Sequence, residues 1–225
     1  MHDQYSDGTM ALPGMAPPDT ATCRAAMALA RRLSAPFLFN HVMRSWAFAA
    51  YAGRLRGQTH DPEILFLATV LHDLGLTEAA PGHVRFEVEG ADAARDFLAG
   101  QGVAAAVCDR VWDAIALHTT PDIAPRMGPE AALCQLGTAV DVGVVPLEAL
   151  TAGDAGSEGL VAELLAAYPR LGFKAALLQA LAAVAARNPG AAQASPPMAD
   201  AAERHLPGFR RVHFCDIVDG ARFAE

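Results

Sequence analysis

Three of the eight histidines, His41, His72 and His118, fall inside or at the end of stretches that are otherwise apolar. A lone imidazole in such a place is usually a hydrogen-bonded structural group, because both ring nitrogens must be satisfied. The neighbours of His72 argue for more. It is followed by Asp73 in Leu71-His72-Asp73-Leu74-Gly75, and a carboxylate under an apolar helix is costly unless a cation or dense hydrogen bonding offsets it. Asp141 poses the same problem, late in Thr138-Ala139-Val140-Asp141-Val142-Gly143 with no basic residue close by in sequence. With His41, these residues supply two neutral nitrogen donors and two anionic oxygen donors. That set neutralises a divalent cation, most naturally one zinc ion, although iron or manganese would accept the same donors.

The elements that must position these groups read as helices. About a fifth of the residues are alanine, the best intrinsic helix former, and no alternating apolar run demands a sheet. After an extended arm over residues 1–20, rich in proline and glycine, a helix is expected from Ala21 to Leu33. Ser34 as N-cap and Pro36 in the first turn open a second helix to about Leu55, with Phe37, His41, Arg44, Phe48 and Tyr51 at helical spacing. Asp61-Pro62-Glu63 opens a third, apolar all round and therefore central. It ends at His72-Asp73, with Gly75 read as a left-handed stop. Adjacent helical residues point about 100° apart, so His72 and Asp73 can serve one ion only at a helix end.

Further helices are expected over Phe86 to Leu98, Val103 to Leu117 with His118 just beyond, Ala131 to Val142 closed by Gly143, Ser157 to Tyr168 and Leu171 to Ala186. Asn188 to Pro197 reads as a linker and the remainder as a C-terminal extension. The expected architecture is all-α: a compact single-domain helical bundle over residues 21–187, with residues 1–20 as arm and 188–225 as linker and extension.

The formal net charge of −8 disfavours nucleic acid, whose phosphates a negative surface repels. The most apolar runs are too short to span a bilayer, and the N-terminus lacks a basic start and apolar core, so a cytoplasmic protein without membrane partners is expected. Cys23, Cys108, Cys134 and Cys215 form no C-x-x-C pair and read as buried hydrophobes.

The ordered pattern His41, His72-Asp73, Asp141 resembles the signature of the HD-domain superfamily of metal-dependent hydrolases. Within it, the chain is most similar to the cyanamide hydratase family. That resemblance rests on Phe39-Asn40-His41-Val42-Met43-Arg44-Ser45, Leu71-His72-Asp73-Leu74-Gly75-Leu76-Thr77, the run from Arg85 to Arg95 and Trp112-Asp113-Ala114-Ile115-Ala116-Leu117-His118-Thr119, and it covers about Asp19 to Val145. It implies an HD-type helical fold with a metal held by His41, His72, Asp73 and Asp141. It further implies that water at the metal, its pKa lowered towards ~7, adds to the nitrile carbon of cyanamide to give urea. His118 is the candidate proton donor or substrate positioner, with a hydrogen bond to Asp73 or Asp141 as its structural alternative. Asn40 is read as orienting substrate or capping a carbonyl. Glu87 and Asp92 are read either as pocket acids or as acids favoured by a helix start. Arg44, one turn after His41, is read as pairing with an acid behind the site, and Trp112 and Phe86 as core or pocket wall.

Three rivals stand beside this reading. Most of the superfamily are phosphohydrolases, yet Leu74, Gly75 and Leu76 follow His-Asp where many of them carry a lysine, and no glycine-rich phosphate loop is present. A two-iron oxidative enzyme would need more histidines than His83 and His118 between His-Asp and the last Asp. A non-catalytic, metal-stabilised helical module would want a closed ligand shell. The expected partner is a small neutral substrate, and Leu160 to Tyr168 with Leu171 to Ala186 are expected to pack as an intrachain cover or a homodimer face.

Overall fold

The computed structural model describes residues 15–151 and 157–222. The structure is all-α, and no strand forms among the described residues. Of the arm expected over residues 1–20, residues 1–14 lie outside the described set, while Met15 is buried in the main core and 16–20 lead into the first helix. Helix α1 spans Ala21–Leu33, capped by the Thr20 hydroxyl, which accepts from Cys23 N at 3.1 Å. Helix α2 spans Pro36–Leu55. Its N-cap is Ala35, not Ser34, and Ala35 is extended (φ −59°, ψ 152°), as the residue before a proline tends to be. Ser34 instead closes α1.

Helix α3, Pro62–Leu71, is the centre of the bundle: every side chain from Ile64 to Leu71 is buried. Asp61 caps it, accepting from the Glu63 and Ile64 amides at 2.9 and 3.2 Å. After Leu71 the chain passes through His72 and Asp73 into a single 3₁₀ turn, Leu74–Leu76, and the Thr77 hydroxyl bonds back to Leu74 O at 2.7 Å. Gly75 is not a left-handed stop. Its need for glycine is steric, since a Cβ there would sit 1.9 Å from the Phe86 carbonyl. One at Gly90 would lie 2.9 Å from the carbonyl of His72. These two glycines let α4, Phe86–Gly100, rest directly against the His72-Asp73 turn.

Helices α5 (Ala105–Ala116) and α6 (Pro129–Val142) complete the inner layer, α5 on α4 and α6 against α2. Gly143 ends α6 at φ +88°. Two short elements, α7 (Leu147–Thr151) and α8 (Ser157–Ala167), lead to α9 (Phe173–Arg187). Leu164 and Tyr168 reach the main core, and Phe173, Leu181 and Val184 are also buried within the chain. Cys23, Cys108 and Cys134 are buried and Cys215 is exposed. Burial pushes the Cys23 thiol up to about 11, so it stays protonated.

Residues 188–205, expected as a linker over 188–197 followed by an extension, are largely helical. They form α10 (Pro189–Gln193) and α11 (Pro196–His205), followed by α12 (Phe214–Asp219). The prolines that suggest a linker stand at the first turns of α10 and α11, where a missing amide proton is harmless. Helix α11 packs on α9 and builds a second core with Leu38, Leu76 and Phe86. The His72-Asp73 turn lies where the two cores meet.

Candidate metal centre

Each of three buried imidazoles is fixed through Nδ1. His41 Nδ1 meets Asp141 Oδ2 at 2.6 Å, His72 Nδ1 the Thr69 carbonyl at 2.8 Å, and His118 Nδ1 the Ile115 carbonyl at 2.6 Å. A carbonyl or carboxylate can only accept, so each Nδ1 carries the proton and each Nε2 presents a lone pair. His41 and His72 aim those lone pairs at each other, Nε2 to Nε2 3.3 Å, and at Asp73 Oδ2, 3.5 and 3.2 Å away. Three acceptors facing one another without a donor require a cation. The separations of 3.2–3.5 Å match the edges of a tetrahedron around an ion bonded at ~2.0–2.1 Å. His41, His72 and Asp73 therefore fit a divalent metal, and they form the ligating group whose donor atoms close within 4.8 Å among the described residues.

Electrostatics agree with that geometry. Burial alone would raise the Asp73 carboxyl, but the facing imidazoles of His72, His41 and His118 hold it well below the usual carboxylate range. Burial depresses His72 as well, yet the charge and contact of Asp73 leave it raised overall. In the absence of another cation, a proton on His72 takes the metal's place. Burial lowers His41 despite its bond to Asp141.

Asp141, expected as the fourth ligand, lies behind His41 rather than in the cluster. Arg44 grips its carboxylate with two bonds, Nε to Oδ1 at 2.7 Å and Nη2 to Oδ2 at 2.8 Å, and Arg170 adds a third at 3.2 Å. Against the rise that burial would cause, His41 and Arg44 bring its pKa down to about 2. With both oxygens held by guanidinium groups, Asp141 orients the His41 ring, as carboxylates behind metal-binding histidines do. Arg44 is the fully buried acid partner the sequence suggests, and it also donates to Tyr168 O at 2.9 Å.

The other expected site residues are dispersed. His118 borders the centre: its Nε2 stands 3.8 Å from Asp73 Oδ1, too far for a hydrogen bond, and the ring lines the adjoining cavity. Burial and the nearby His72 push its pKa down to about 4, so it is neutral at pH 7. Asn40 donates to Pro169 O at 2.8 Å, the carbonyl-capping alternative. Glu87 is fully buried but structural in its contacts: Oε1 accepts from Arg85, Thr119 and Ser195 at 2.8, 2.7 and 2.9 Å, tying α4 to the His118 turn and to the start of α11. Burial works against its ionisation, and Arg85 and its other partners prevail and keep the carboxyl low. Asp92 is exposed and accepts from Trp112 Nε1 at 2.7 Å, away from the centre.

Sequence reading misses Arg170, Phe173, Gln135 and Thr138. Arg170 and Phe173 arrive through a tight turn in which Leu171 (φ 51°) and Gly172 (φ 72°) are left-handed. Phe173 stacks on His41, centroids 4.8 Å apart, beneath the guanidiniums of Arg44 and Arg170. Nothing near Arg170 in sequence marks it. Gln135 and Thr138 had a usable signal, since they precede Asp141 at three-residue spacing on one face of α6. Both line a cavity of about 460 Å³ that opens onto His41, Asp73 and His118. The Thr138 hydroxyl, in a side chain only 7% exposed, has no partner.

Fold and site together define an all-α metal-binding domain built around a histidine and a His-Asp pair. Residues 38–149 match the HD-domain family, and this stretch, which holds every residue of the cluster, is an HD domain. HD domains bind divalent metal and are generally metal-dependent hydrolases. No curated protein matches the chain.

Proposed function

We propose that the chain is a metal-dependent hydratase that adds water to the carbon of an uncharged nitrile, cyanamide being the smallest, to give the amide, urea in that case. The observation that carries this reading is the disposition of the cations around the centre. Arg44 and Arg170 are bound to Asp141, and Arg85 is bound to Glu87. The arginine that does line the cavity, Arg204, is solvent-exposed on α11, and the other charged lining residue there, Asp200, is paired with Arg211 at 2.7 Å. Phosphoryl transfer needs cations directed at the transferring oxygens, and a neutral electrophile does not.

A divalent ion held by His41, His72 and Asp73 would supply water of lowered pKa and a Lewis acid for the electrophile. Three protein ligands leave coordination positions open, as catalytic rather than structural sites do. His118, with Nδ1–H spent on Ile115, offers the Nε2 lone pair to the cavity. It accepts a proton from the attacking water and returns it to the nitrile nitrogen, after which the imidic acid tautomerises to the amide. This makes His118 an acceptor first and a donor second, where the sequence suggests a proton donor or substrate positioner.

The test is urea release from cyanamide by the zinc-loaded protein, with ATP, GMP and p-nitrophenyl phosphate assayed in parallel. Urea release with no phosphate release is expected. Turnover of a phosphate ester and none of cyanamide refutes the proposal, and full activity in His118→Ala removes His118 from it.

A further inference from the structure

The cavity that opens onto the metal cluster is far larger than cyanamide, and its wall is of the wrong character for so small and polar a molecule. Cyanamide has three heavy atoms and occupies on the order of 60 Å³, about twice water's share of its liquid. The cavity is about 460 Å³, within the range of pockets that enclose drug-sized ligands. Its buried polar groups gather at one place, where His41, Asp73 and His118 meet Gln135 and Thr138 of α6, and the charged Asp200 and Arg204 stand apart from them on the exposed side of α11. Much of the remaining wall is hydrocarbon from the second core and the helices that carry it: Leu76, Phe86, Leu177, Leu181, Pro196 and Pro197.

From this we infer that the substrate carries an apolar body, an alkyl chain or ring, beside the group that reacts at the metal. The inference rests on the reading of an uncharged substrate at this centre and adds what that substrate must look like. The reacting group lies against His41, Asp73 and His118. The apolar body runs between α9 and α11, against Leu177, Leu181, Pro196 and Pro197. Helix α11 has a purpose in this arrangement, because it supplies a wall of the apolar compartment and is pinned to the HD domain at its N-cap by the Ser195–Glu87 bond at 2.9 Å. A centre evolved for a three-atom substrate has no use for that compartment. An apolar substrate gains about three- to fourfold in affinity for each methylene it buries there.

Binding is measured by calorimetry on the full-length zinc-loaded protein with butanamide, hexanamide and octanamide and with the alcohols of the same chain lengths, none of which requires turnover. Hydration of cyanamide, butanenitrile and hexanenitrile is followed in parallel. Kd is expected to fall about tenfold for every two methylenes in both series, and kcat/KM for hexanenitrile is expected to exceed that for cyanamide by at least tenfold. Leu177→Trp, which fills the compartment, should weaken octanamide binding at least tenfold. Leu177→Asn, which removes apolar contact without adding bulk, carries the same test if the larger residue prevents folding. A Kd that is flat with chain length overturns the inference, as does octanamide binding unaffected by these variants. If cyanamide is hydrated and hexanenitrile is no better, the apolar body is wrong and the hydratase reading stands. If no nitrile is hydrated while the chain-length dependence persists, the hydratase reading is wrong and the apolar compartment stands.

Discussion

Gly137→Ala is a small change remote from solvent, and the packing assigns it a large effect on the metal centre. Gly137 lies on α6 where that helix crosses α2, and a Cβ there would be 2.2 Å from the Ser45 carbonyl, 2.8 Å from Ala49 Cβ and 2.9 Å from Ala49 N. Two of these three neighbours are backbone, so no side chain can swing aside. The helices must part by about 1 Å to restore ordinary contact. Helix α2 carries His41 and Arg44 and α6 carries Asp141, joined by bonds of 2.6, 2.7 and 2.8 Å. An ångström added to those lengths leaves hydrogen-bonding range. Overpacking costs about 1–3 kcal/mol and each weakened charged hydrogen bond about 1.5–3 kcal/mol, and partial relaxation brings the expected total to ~3–5 kcal/mol. For a chain of this size that lowers Tm by roughly 6–11 °C. With His41 no longer oriented, zinc affinity should fall on the order of 10- to 100-fold. Chemical denaturation of the metal-free protein and chelator competition for zinc measure the two effects. Gly100→Ala is the control, because a Cβ there meets nothing within 4 Å and the change should be neutral or slightly stabilising. A Gly137→Ala protein within 1 kcal/mol of the parent, with zinc affinity within twofold, would refute the claim that α2–α6 contact sets the geometry of the centre.

Three further outcomes follow from the same structure. His72→Ala and Asp73→Ala should each abolish stoichiometric zinc in metal analysis, and an active, zinc-free variant would sink the ligand assignment. Arg44→Met leaves the Asp141 carboxylate with His41 and Arg170 alone and should destabilise the fold by about 3–5 kcal/mol in urea titration; Arg44→Lys, unable to make the two-pronged contact, should recover only part of that. His118, depressed from 6.5 to about 4 in the folded protein, is neutral when folded and protonated when unfolded between those values. The unfolded chain binds the extra proton there, so this contribution is complete above pH 6.5 and is lost as pH falls towards 4, to the extent of ~3 kcal/mol. His118→Gln should remove that share of the slope in metal-free protein unfolded at a series of pH values. An unchanged slope would place the His118 proton elsewhere.

The helices of the inner bundle were legible because their signals are local. Asp61-Pro62-Glu63 starts α3 and Gly143 stops α6 by rules that involve a few neighbouring residues. The second core was not, because Pro189, Pro196 and Pro197 have the same composition in a linker as at the first turn of a helix, and only packing against α9 separates the two. The site divides the same way. His41, His72 and Asp73 announce themselves as polar groups on apolar helices. The role of Asp141 depends on Arg44 and Arg170, and Arg170 reaches it through a left-handed Leu171-Gly172 turn that no periodicity encodes. Glu87 and Asp92 look alike in sequence, five residues apart on α4, and differ because one faces the second core and the other faces solvent.

How the buried acids are satisfied explains why only one of them calls for a metal. Among the described residues the buried carboxylates are Asp73, Glu87, Glu89, Glu130 and Asp141. Glu87 has Arg85 and two hydroxyls, and Glu130 has Arg110 and the Asp61 amide. Glu89 accepts the backbone amides of residues 82, 83 and 84, and Asp141 holds two guanidiniums and an imidazole. Each of those four thus has permanent donors, and burying an ionised acid is tolerable on those terms. The atoms facing Asp73 are the Nε2 atoms of His41 and His72, with that of His118 farther off at 3.8 Å, and in all three neutral rings the proton is committed to Nδ1. Asp73 therefore lacks a donor of its own while it remains ionised. Arg44, Arg85 and Arg170 are held by other acids, so the compensating charge is either a proton on His72 or a bound divalent cation. The same allocation leaves the cavity next to Asp73 without a free guanidinium among its buried side chains, so one distribution of charge underlies both the candidate metal centre and the proposed neutral, apolar substrate.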